Sequence, residues 1–303
     1  MFLSDARDYQ ILILSLFLFL GILTRDWTLQ PQAIFSAIAA CVLTQLLLTF
    51  FVDFVKSKKE SKDSLNQSQG KSYQKISNLA ISGLRSAAIT GLGLSLLLRA
   101  NDYNTMALAG CLAIASKFFF RVENKHFFNP ANFGIIAVLI LTKDAWISPG
   151  QWGTDWWYLL LFIGLGGIVL KKVGRWDTSA VFLLVYAGLE ALKNLWLGWD
   201  WDIWQHQLTS GSLLLFALFM LTDPRSIPNA RSTRIIWAIV IAVVTFILRD
   251  YFYISTAIFW ALFFISPLTI WFDRIKKAPR FNWVQMSGIE GFQFRESFKK
   301  IET

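Results

Sequence analysis

Two side-chain amides and a proline form a turn directly in front of an apolar segment near the middle of this chain. The run reads KHFFNPANFG at residues 125–134, with the amides at Asn129 and Asn132. Backbone groups inside a bilayer must be hydrogen-bonded within the protein, so a turn is tolerated there only where it is packed or lines a polar cavity. Asn129 and Asn132 are therefore candidate ligand-binding residues. The structural alternative is that Asn129 caps the next helix and Asn132 bonds to the interrupted backbone.

A second polar cluster closes a later apolar segment. It reads MLTDPRSIPN at residues 220–229. Its two prolines would stop a helix, Thr222 can cap the helix end, and Asp223 can pair with Arg225. Taken alone, this cluster has the features of an ordinary loop.

The elements that must position these clusters are membrane helices. The chain has 303 residues, of which 55% are apolar, 16% aromatic and only 16% charged, and this composition predicts an all-α, polytopic membrane protein in contact with a lipid bilayer. Segments of roughly 17 to 25 apolar residues can cross a bilayer as helix. We predict ten such spans, at about residues 9–24, 33–55, 77–98, 104–120, 132–142, 156–170, 178–196, 208–222, 235–248 and 253–272.

The basic residues support this topology. With the N-terminus in the cytoplasm, most Lys and Arg residues fall on the cytoplasmic side of the ten spans, including Lys117, Arg121 and Lys125 before span five. We therefore predict a multi-pass protein of the inner (plasma) membrane with both termini cytoplasmic. The net charge of +9 then records topology, and nucleic-acid binding is not expected. The first apolar run lacks a small-residue cleavage site, which indicates a retained helix.

Ten spans divide into five plus five, which predicts an inverted repeat. Residues 90–96 in span three match residues 209–214 in span eight, and the turn at 127–133 has a counterpart at 250–256 before span ten. One transmembrane domain, residues 1–275, accounts for the apolar sequence and includes a cytoplasmic linker at 56–76. Residues 276–303 form a polar cytoplasmic tail that is too short for a further domain.

Cysteine and histidine usage excludes several kinds of redox centre. Cys41 and Cys111 are single residues inside apolar spans, so this chain alone offers no zinc or iron–sulfur site. His126 and His206 lie near opposite predicted faces of the membrane, which argues against a haem held by two facing histidines. If electrons pass through this protein, an organic cofactor must carry them.

Taken together, the clusters resemble a known family. The turn at 125–134 is followed by GGIVL at 166–170, by Arg175 and Trp176, and by the Thr-Asp-Pro loop at 222–224. This order is similar to the B subunit of sodium-translocating NADH:quinone reductase and the D subunit of Rnf electron-transport complexes, from about Lys117 to Arg274. The N-terminal run DARDYQI, together with Asp26 and Trp27, looks more like the stand-alone UnbU proteins found beside enediyne-type gene clusters.

This resemblance to the NqrB/RnfD family implies a ten-helix fold similar to urea transporters and a non-covalent flavin, riboflavin or FMN, near the Asn-Pro-x-Asn turn. Side-chain amides can match the alternating donors and acceptors of the flavin pyrimidine edge, and phenylalanine rings offer flat apolar faces. We therefore predict a cofactor-binding set that comprises Asn129, Asn132, Phe128, Phe133, Lys125, Thr222 and Asp223.

In the family complexes a second flavin is attached covalently to threonine in a Ser-Gly-Ala-Thr motif between spans seven and eight. The corresponding segment here, GWDWDIWQHQ at 198–207, contains no such motif. We therefore predict no covalent FMN, and neither haem, iron–sulfur nor zinc.

Charged and aromatic residues elsewhere have two interpretations each. Glu190 and Arg85 are the ionisable groups deepest in apolar sequence, and a charge inside a membrane is a functional hypothesis by default. Glu190 is also one turn from Lys193, which favours a local ion pair. The tryptophans of residues 196–204 could shield a docking site for a redox partner, although an aromatic belt at the lipid–water boundary explains them more simply.

Two functional hypotheses follow. In the first, the protein is a membrane electron-transport component that binds flavin and works with a redox protein or other membrane subunits, as a redox subunit rather than a self-contained catalyst. In the second, the inverted repeat forms a channel or carrier for a small neutral solute, and the asparagines line it. The Thr-Asp-Pro loop and the Asn-Pro-Ala turn favour the first hypothesis.

Overall fold

The computed structural model describes residues 5–24, 30–60, 69–148, 156–281 and 283, with backbone only for residues 24, 56–60, 69–82 and 156. Three predicted features lie outside the described residues. They are the pair Asp26 and Trp27, the centre of the linker predicted at 56–76, and the part of the predicted tail beyond residue 283.

The described chain is built from helices, which confirms the predicted all-α class. The helices are α1 (Ala6–Thr24), α2 (Pro31–Glu60), α3 (Gln69–Leu97), α4 (Tyr103–Phe119), α5 (Pro130–Leu141), α6 (Trp156–Val173), α7 (Trp176–Leu197), α8 (Trp201–Leu208), α9 (Gly211–Leu215), α10 (Arg231–Phe246), α11 (Ala257–Ile265) and α12 (Leu268–Ile275). Two π-helical segments, Phe216–Met220 and Ile247–Tyr251, continue α9 and α10.

Four very short strands connect these helices. They are β1 (Leu98–Ala100), β2 (Arg121–Val122), β3 (Lys125–His126) and β4 (Ala145–Ile147). β1 pairs with β4 in antiparallel fashion, so the segments that follow α3 and α5 are joined at one end of the fold. β2 and β3 form a tight hairpin between α4 and α5, and its two turn residues, Glu123 and Asn124, have positive φ angles of 49° and 66°.

The helix lengths support a multi-pass membrane protein. Among the described residues, four stretches are long and apolar enough to cross a bilayer: Ala6–Leu23, Pro31–Val55, Trp176–Leu197 and Arg231–Tyr251. Helices α11 and α12, which meet at a bend of 49°, would add a fifth span if they cross as one unit. Gly83–Leu97, Pro130–Leu141 and Gly211–Met220 are apolar but shorter. The ten-span arrangement and the orientation of the termini stay predictions.

Helices α7 and α10 run parallel and in register. Asp177 accepts a hydrogen bond of 2.6 Å from Arg234 near the start of both helices, and Lys193 pairs with Asp250 near the ends. Both pairs are 57 residues apart in sequence, and Asp250 lies in the π-helical segment that continues α10. Glu190 also pairs with Lys193 at 2.9 Å, which confirms the predicted local ion pair.

Close helix packing requires glycine at one point near the turn. A Cβ atom added to Gly134 in α5 would lie 2.5 Å from the carbonyl oxygen of Ala109 and 2.8 Å from the Cβ of Ala113, both in α4. Because the nearest atom belongs to the backbone, α4 cannot yield by a side-chain rotation. Gly134 therefore sets the distance between α4 and α5.

Candidate functional site

Asn129 holds the start of α5 in place. Its backbone is extended (φ −66°, ψ 125°), and its side-chain Oδ1 accepts a hydrogen bond of 3.0 Å from the backbone N–H of Asn132. Its Nδ2 donates a hydrogen bond of 3.0 Å to the carbonyl oxygen of Met220, the last residue of the first π-helical segment. Asn129 thus caps α5 and ties the first polar cluster to the second.

Asn132 connects α5 to α11. The residue is fully buried, and its Nδ2 donates a hydrogen bond of 3.1 Å to the carbonyl oxygen of Phe259. Its Oδ1 has no hydrogen-bond partner in the described part of the chain. The predicted cap by Asn129 is therefore confirmed, whereas Asn132 bonds to the backbone of α11 rather than to the interrupted backbone of its own turn. A role in flavin binding stays a prediction.

The phenylalanines of the turn pack against one another rather than standing apart. Phe128 lies 5.3 Å from Phe133 and 5.0 Å from Phe263 of α11, measured between ring centroids, and the Phe128 and Phe263 rings are stacked. Phe120, at the end of α4, packs against Phe128 and Phe133 at 5.5 and 5.2 Å. This cluster fixes the turn between α4 and α11.

A cavity adjoins the turn and encloses about 870 Å³ of space free of atoms, including space open to solvent. Apolar side chains from α1, α3, α6 and the first π-helical segment form most of its wall. The polar and charged residues of the lining are Arg7, Gln10, Ser86, Thr90, His126, Asn129, Thr222, Asp223 and Arg225. Pockets of roughly 300–1,000 Å³ with such walls and few polar groups are typical of cofactor sites.

The cavity brings together three of the seven predicted cofactor-binding residues: Asn129, Thr222 and Asp223. Thr222 is buried and donates a hydrogen bond of 2.9 Å to the carbonyl oxygen of Leu218, one turn earlier. Asn132, Phe128, Phe133 and Lys125 do not line this cavity.

Lys125 points to a different place. Its ammonium group donates hydrogen bonds of 2.6 Å to the carbonyl oxygen of Ile227 and to Asp273, and one of 3.2 Å to Asn229. Burial lowers the pKa of Lys125, although the Asp273 carboxylate opposes this change. Lys125 thus joins the β2–β3 hairpin to α12 and lines a separate groove.

His126 and Asp223 form the polar end of the cavity. The Nε2 atom of His126 lies 3.5 Å from Oδ2 of Asp223. Burial lowers the pKa of His126, although the carboxylate opposes this change. Burial also opposes ionisation of Asp223, but the contacts from His126 and from the Arg225 backbone N–H hold the pKa of Asp223 below its usual value. The pair therefore favours a neutral imidazole beside an ionised carboxylate.

The predicted ion pair between the side chains of Asp223 and Arg225 is wrong. Arg225 donates only its backbone N–H to Asp223, at 3.2 Å, and its side chain is exposed. The loop turns the guanidinium outward while the carboxylate faces His126. For His126 the sequence contains one signal, a lone histidine directly before the aromatic turn, but nothing in it indicates the partner.

Several cavity residues come from the two ends of the described chain. Arg7 of α1 is buried, pairs with Asp5 at 2.6 Å, and lies 5.0 Å from the ring centroid of Trp283. Arg85, a possible functional charge by its apolar sequence context, pairs with Asp8 at 2.8 Å and with Asp5 at 3.3 Å. These contacts tie α1 to α3 at the mouth of the cavity.

The sequence pattern places Lys117 at the cytoplasmic end of predicted span four (104–120), and the structure buries this residue inside the fold. It lies in the last turn of α4, is only 6% exposed, and donates a hydrogen bond of 3.0 Å to the hydroxyl of Ser86. Ser86 in turn lines the cavity. The described residues contain no group of three or more His, Cys, Asp or Glu side chains that could hold a metal ion.

Comparison with known proteins identifies relatives for part of the chain. Residues 141–282 match the NQR2, RnfD, RnfE family. The chain is 33% identical over 133 residues to the D subunit of the ion-translocating oxidoreductase complex of Stutzerimonas stutzeri, a match that covers 42% of this chain and 36% of that protein. It is 34% identical over 113 residues to the protein of the same name from Alcanivorax borkumensis, a match that covers 35% of this chain and 32% of that protein.

These matches span about a third of the length of the curated relatives. The family match includes the GGIVL segment and the Thr-Asp-Pro loop, and it begins after the Asn-Pro-x-Asn turn.

Proposed function

We propose that this chain is an integral membrane electron-transport component that binds flavin non-covalently. Its resemblance to the NqrB/RnfD family is confirmed by the match at residues 141–282. One observation carries the proposal: two polar clusters about ninety residues apart meet at the Asn129–Met220 hydrogen bond and border one cavity with mostly apolar walls. That combination suits a flat cofactor with one polar edge.

The side chains at the polar end of the cavity could form hydrogen bonds with the pyrimidine edge of a flavin. Asn129 uses one N–H and one lone pair of its Oδ1 within the protein, so a second N–H and a second lone pair stay available. Asp223 is an acceptor, and His126 offers its other ring nitrogen. Asn132, Phe128 and Phe133 would then support the turn from behind, and Lys125 would fix the hairpin that carries His126.

We further propose the ten-span fold with a 5+5 inverted repeat and both termini cytoplasmic. The same packing order supports it in each half: α2 packs on α4 and α4 on α5, while α7 packs on α10 and α10 on α11. Asn132 and Phe259, which are joined by a hydrogen bond, are each the third residue of their helix, α5 and α11. Contact between equivalent positions is expected where two repeats meet at a pseudo-symmetry axis.

The relatives are named as parts of an ion-translocating oxidoreductase complex. We propose that this chain likewise works with other membrane subunits or a redox protein in the plasma membrane, as a redox subunit rather than a self-contained catalyst. Because the segment at 198–207 lacks a Ser-Gly-Ala-Thr motif, the proposal includes one non-covalent flavin and no covalent FMN.

The absorbance spectrum of the detergent-purified full chain tests this proposal. We expect flavin bands that persist through gel filtration and that move entirely to the supernatant when the protein is precipitated with acid. Asp223→Asn together with Asn129→Ala should abolish or strongly reduce the bound flavin. Asn101→Ala, at an exposed asparagine remote from the cavity, is the matched control and should retain it.

A protein that stays colourless after incubation with riboflavin or FMN contradicts the flavin proposal. If that protein also conducts a small neutral solute into liposomes, the channel or carrier hypothesis takes its place. Colour that remains in the acid precipitate would instead show covalent attachment and overturn that part of the proposal.

A further inference from the structure

Positive charge is in excess beside the cavity, around Lys117, whose ammonium group contacts Ser86 of the cavity wall. Lys117 is buried, and among the described residues its ammonium group has no carboxylate within ion-pair distance. Its hydrogen-bond acceptor is the neutral hydroxyl of Ser86, at 3.0 Å. Burying an ammonium group without a counter-charge is costly, so its persistence here requires an explanation.

The charged groups that act on Lys117 do not balance it. The charged groups with the largest effect on it are Asp223, Arg225 and Arg121, that is, one carboxylate against two further cations. The carboxylate of Asp223 already faces His126. Arg121 donates to the carbonyl oxygen of Lys117 itself and lies 4.7 Å from the ring centroid of Phe118.

The other acids near the cavity are already paired. Asp5 and Asp8 contact Arg7 and Arg85, which lie beside the mouth, so these four charges balance one another. Cys41 is the remaining titratable group that acts on Lys117, and it is a buried thiol. Within the described part of the chain, the positive charge without a compensating carboxylate therefore belongs to Lys117, Arg121 and Arg225.

We propose that the cavity binds a ligand with an anionic group and that Lys117 is the buried counter-charge for it. An anion placed beside Ser86 would lie one hydrogen bond away from the ammonium group, with Arg225 on the solvent side. This inference rests on the proposed flavin site and deepens it: the preferred flavin is FMN, whose phosphate supplies the charge, rather than uncharged riboflavin.

The test compares the affinities of FMN and riboflavin for the flavin-free full chain in detergent, measured by quenching of flavin fluorescence. We expect FMN to bind at least about tenfold more tightly than riboflavin, the scale of one partly screened charge interaction. Inorganic phosphate should weaken the binding of FMN and leave that of riboflavin unchanged.

Lys117→Met should reduce the FMN preference to near unity, and Lys117→Arg should retain most of it. Arg225→Gln should reduce the preference less, because the Arg225 side chain is exposed and its charge is screened by solvent. The matched control is Lys143→Met, which removes an exposed lysine after α5 and should behave as wild type. Melting temperatures of the variants identify any that fail to fold, and riboflavin affinity provides a second check on an intact cavity.

Equal affinities of the wild-type chain for the two flavins would overturn the anionic-ligand inference and leave the flavin proposal intact. An FMN preference that survives unchanged in Lys117→Met would overturn the assignment of Lys117 as the counter-charge. Failure of both flavins to bind would overturn the proposed function and this inference together.

Discussion

Helices α5 and α11 occupy equivalent positions in the proposed inverted repeat, but the residues at their starts differ. The α5 junction, residues 120–134, and the α11 junction, residues 247–261, are related by the offset of 127 residues that separates Asn132 from Phe259. At the α5 junction His126 is 6% exposed, whereas the residue 127 positions later, Tyr253, is 87% exposed and has a φ angle of 56°.

The caps of the two helices differ in the same way. Asn129 caps α5 with its side chain, whereas Thr256, the equivalent residue before α11, makes no side-chain cap bond. Gly134 is matched by Ala261, so α4 approaches α5 more closely than an alanine there would allow. Under the proposed inverted repeat, the α5 junction has a buried histidine, a side-chain cap and a close helix contact that the α11 junction lacks.

The largest effect that tests this comparison is expected at Gly134. Gly134→Ala should lower the free energy of unfolding by about 3 kcal/mol, because its Cβ would overlap the Ala109 carbonyl and the two helices would have to separate. The measurement is the thermal midpoint in detergent. Gly188→Ala in α7, where no atom lies within 4 Å of the added Cβ, is the matched control and should be neutral or slightly stabilising. Equal melting temperatures for the two variants would contradict the close-packing argument.

A smaller effect is expected at the helix caps. Asn129→Ala removes the α5 cap and leaves the Met220 carbonyl without its side-chain donor, so it should cost about 2 kcal/mol. Thr256→Ala at the equivalent position should change the unfolding free energy by less than about 0.5 kcal/mol, since no cap bond is lost. Chemical or thermal unfolding of the pair in the same detergent measures the difference. Similar losses for both variants would mean that the two junctions are not specialised in this way.

Part of the α5 junction can be predicted from sequence because it depends on local geometry. The cap by Asn129 follows from an Asn-Pro-x-Asn run before an apolar segment, and the Glu190–Lys193 pair follows from helix periodicity. The bond from Asn132 to Phe259 does not, because it joins residues 127 positions apart. The repeat is harder to align. The sequence pattern aligns the turn at 127–133 with residues 250–256. Alignment of the first residues of α5 and α11 instead places residues 254–260 opposite that turn.

Contacts between distant segments cannot be predicted in this way. Lys117 stands at the cytoplasmic end of predicted span four, next to other basic residues, and the packing of α3 beside α4 buries it against Ser86. Arg85 looks like an isolated intramembrane charge, although the start of α1 supplies two carboxylates to it. The sequence does not specify which helices become neighbours, so it cannot pair His126 with Asp223.

The smallest expected effect is a pH dependence of folding stability, which we expect to depend on His126 and not on His206. His126 is buried, and its pKa in the folded chain is lowered. As the pH falls below about 6.5, the unfolded chain therefore protonates this histidine before the folded chain does. Folding stability is lost from that pH down to the lower pKa of the folded state. Asp223 acts in the same direction at lower pH, because its pKa in the folded chain is below its usual value. The stability that it contributes is present above the usual pKa and is lost as the pH falls through the pKa of the folded state.

The melting temperature of the wild-type chain should therefore fall between about pH 7.5 and pH 5.5, and this fall should be shallower in His126→Gln. His206→Gln, on the exposed surface of α8, is the control and should keep the wild-type profile. If His206→Gln flattens the profile and His126→Gln does not, the acid-sensitive group belongs to the α8 region rather than to the α5 junction. The buried imidazole would then have to be assigned a purely packing role, and the specialisation of the α5 junction would rest on Asn129 and Gly134 alone.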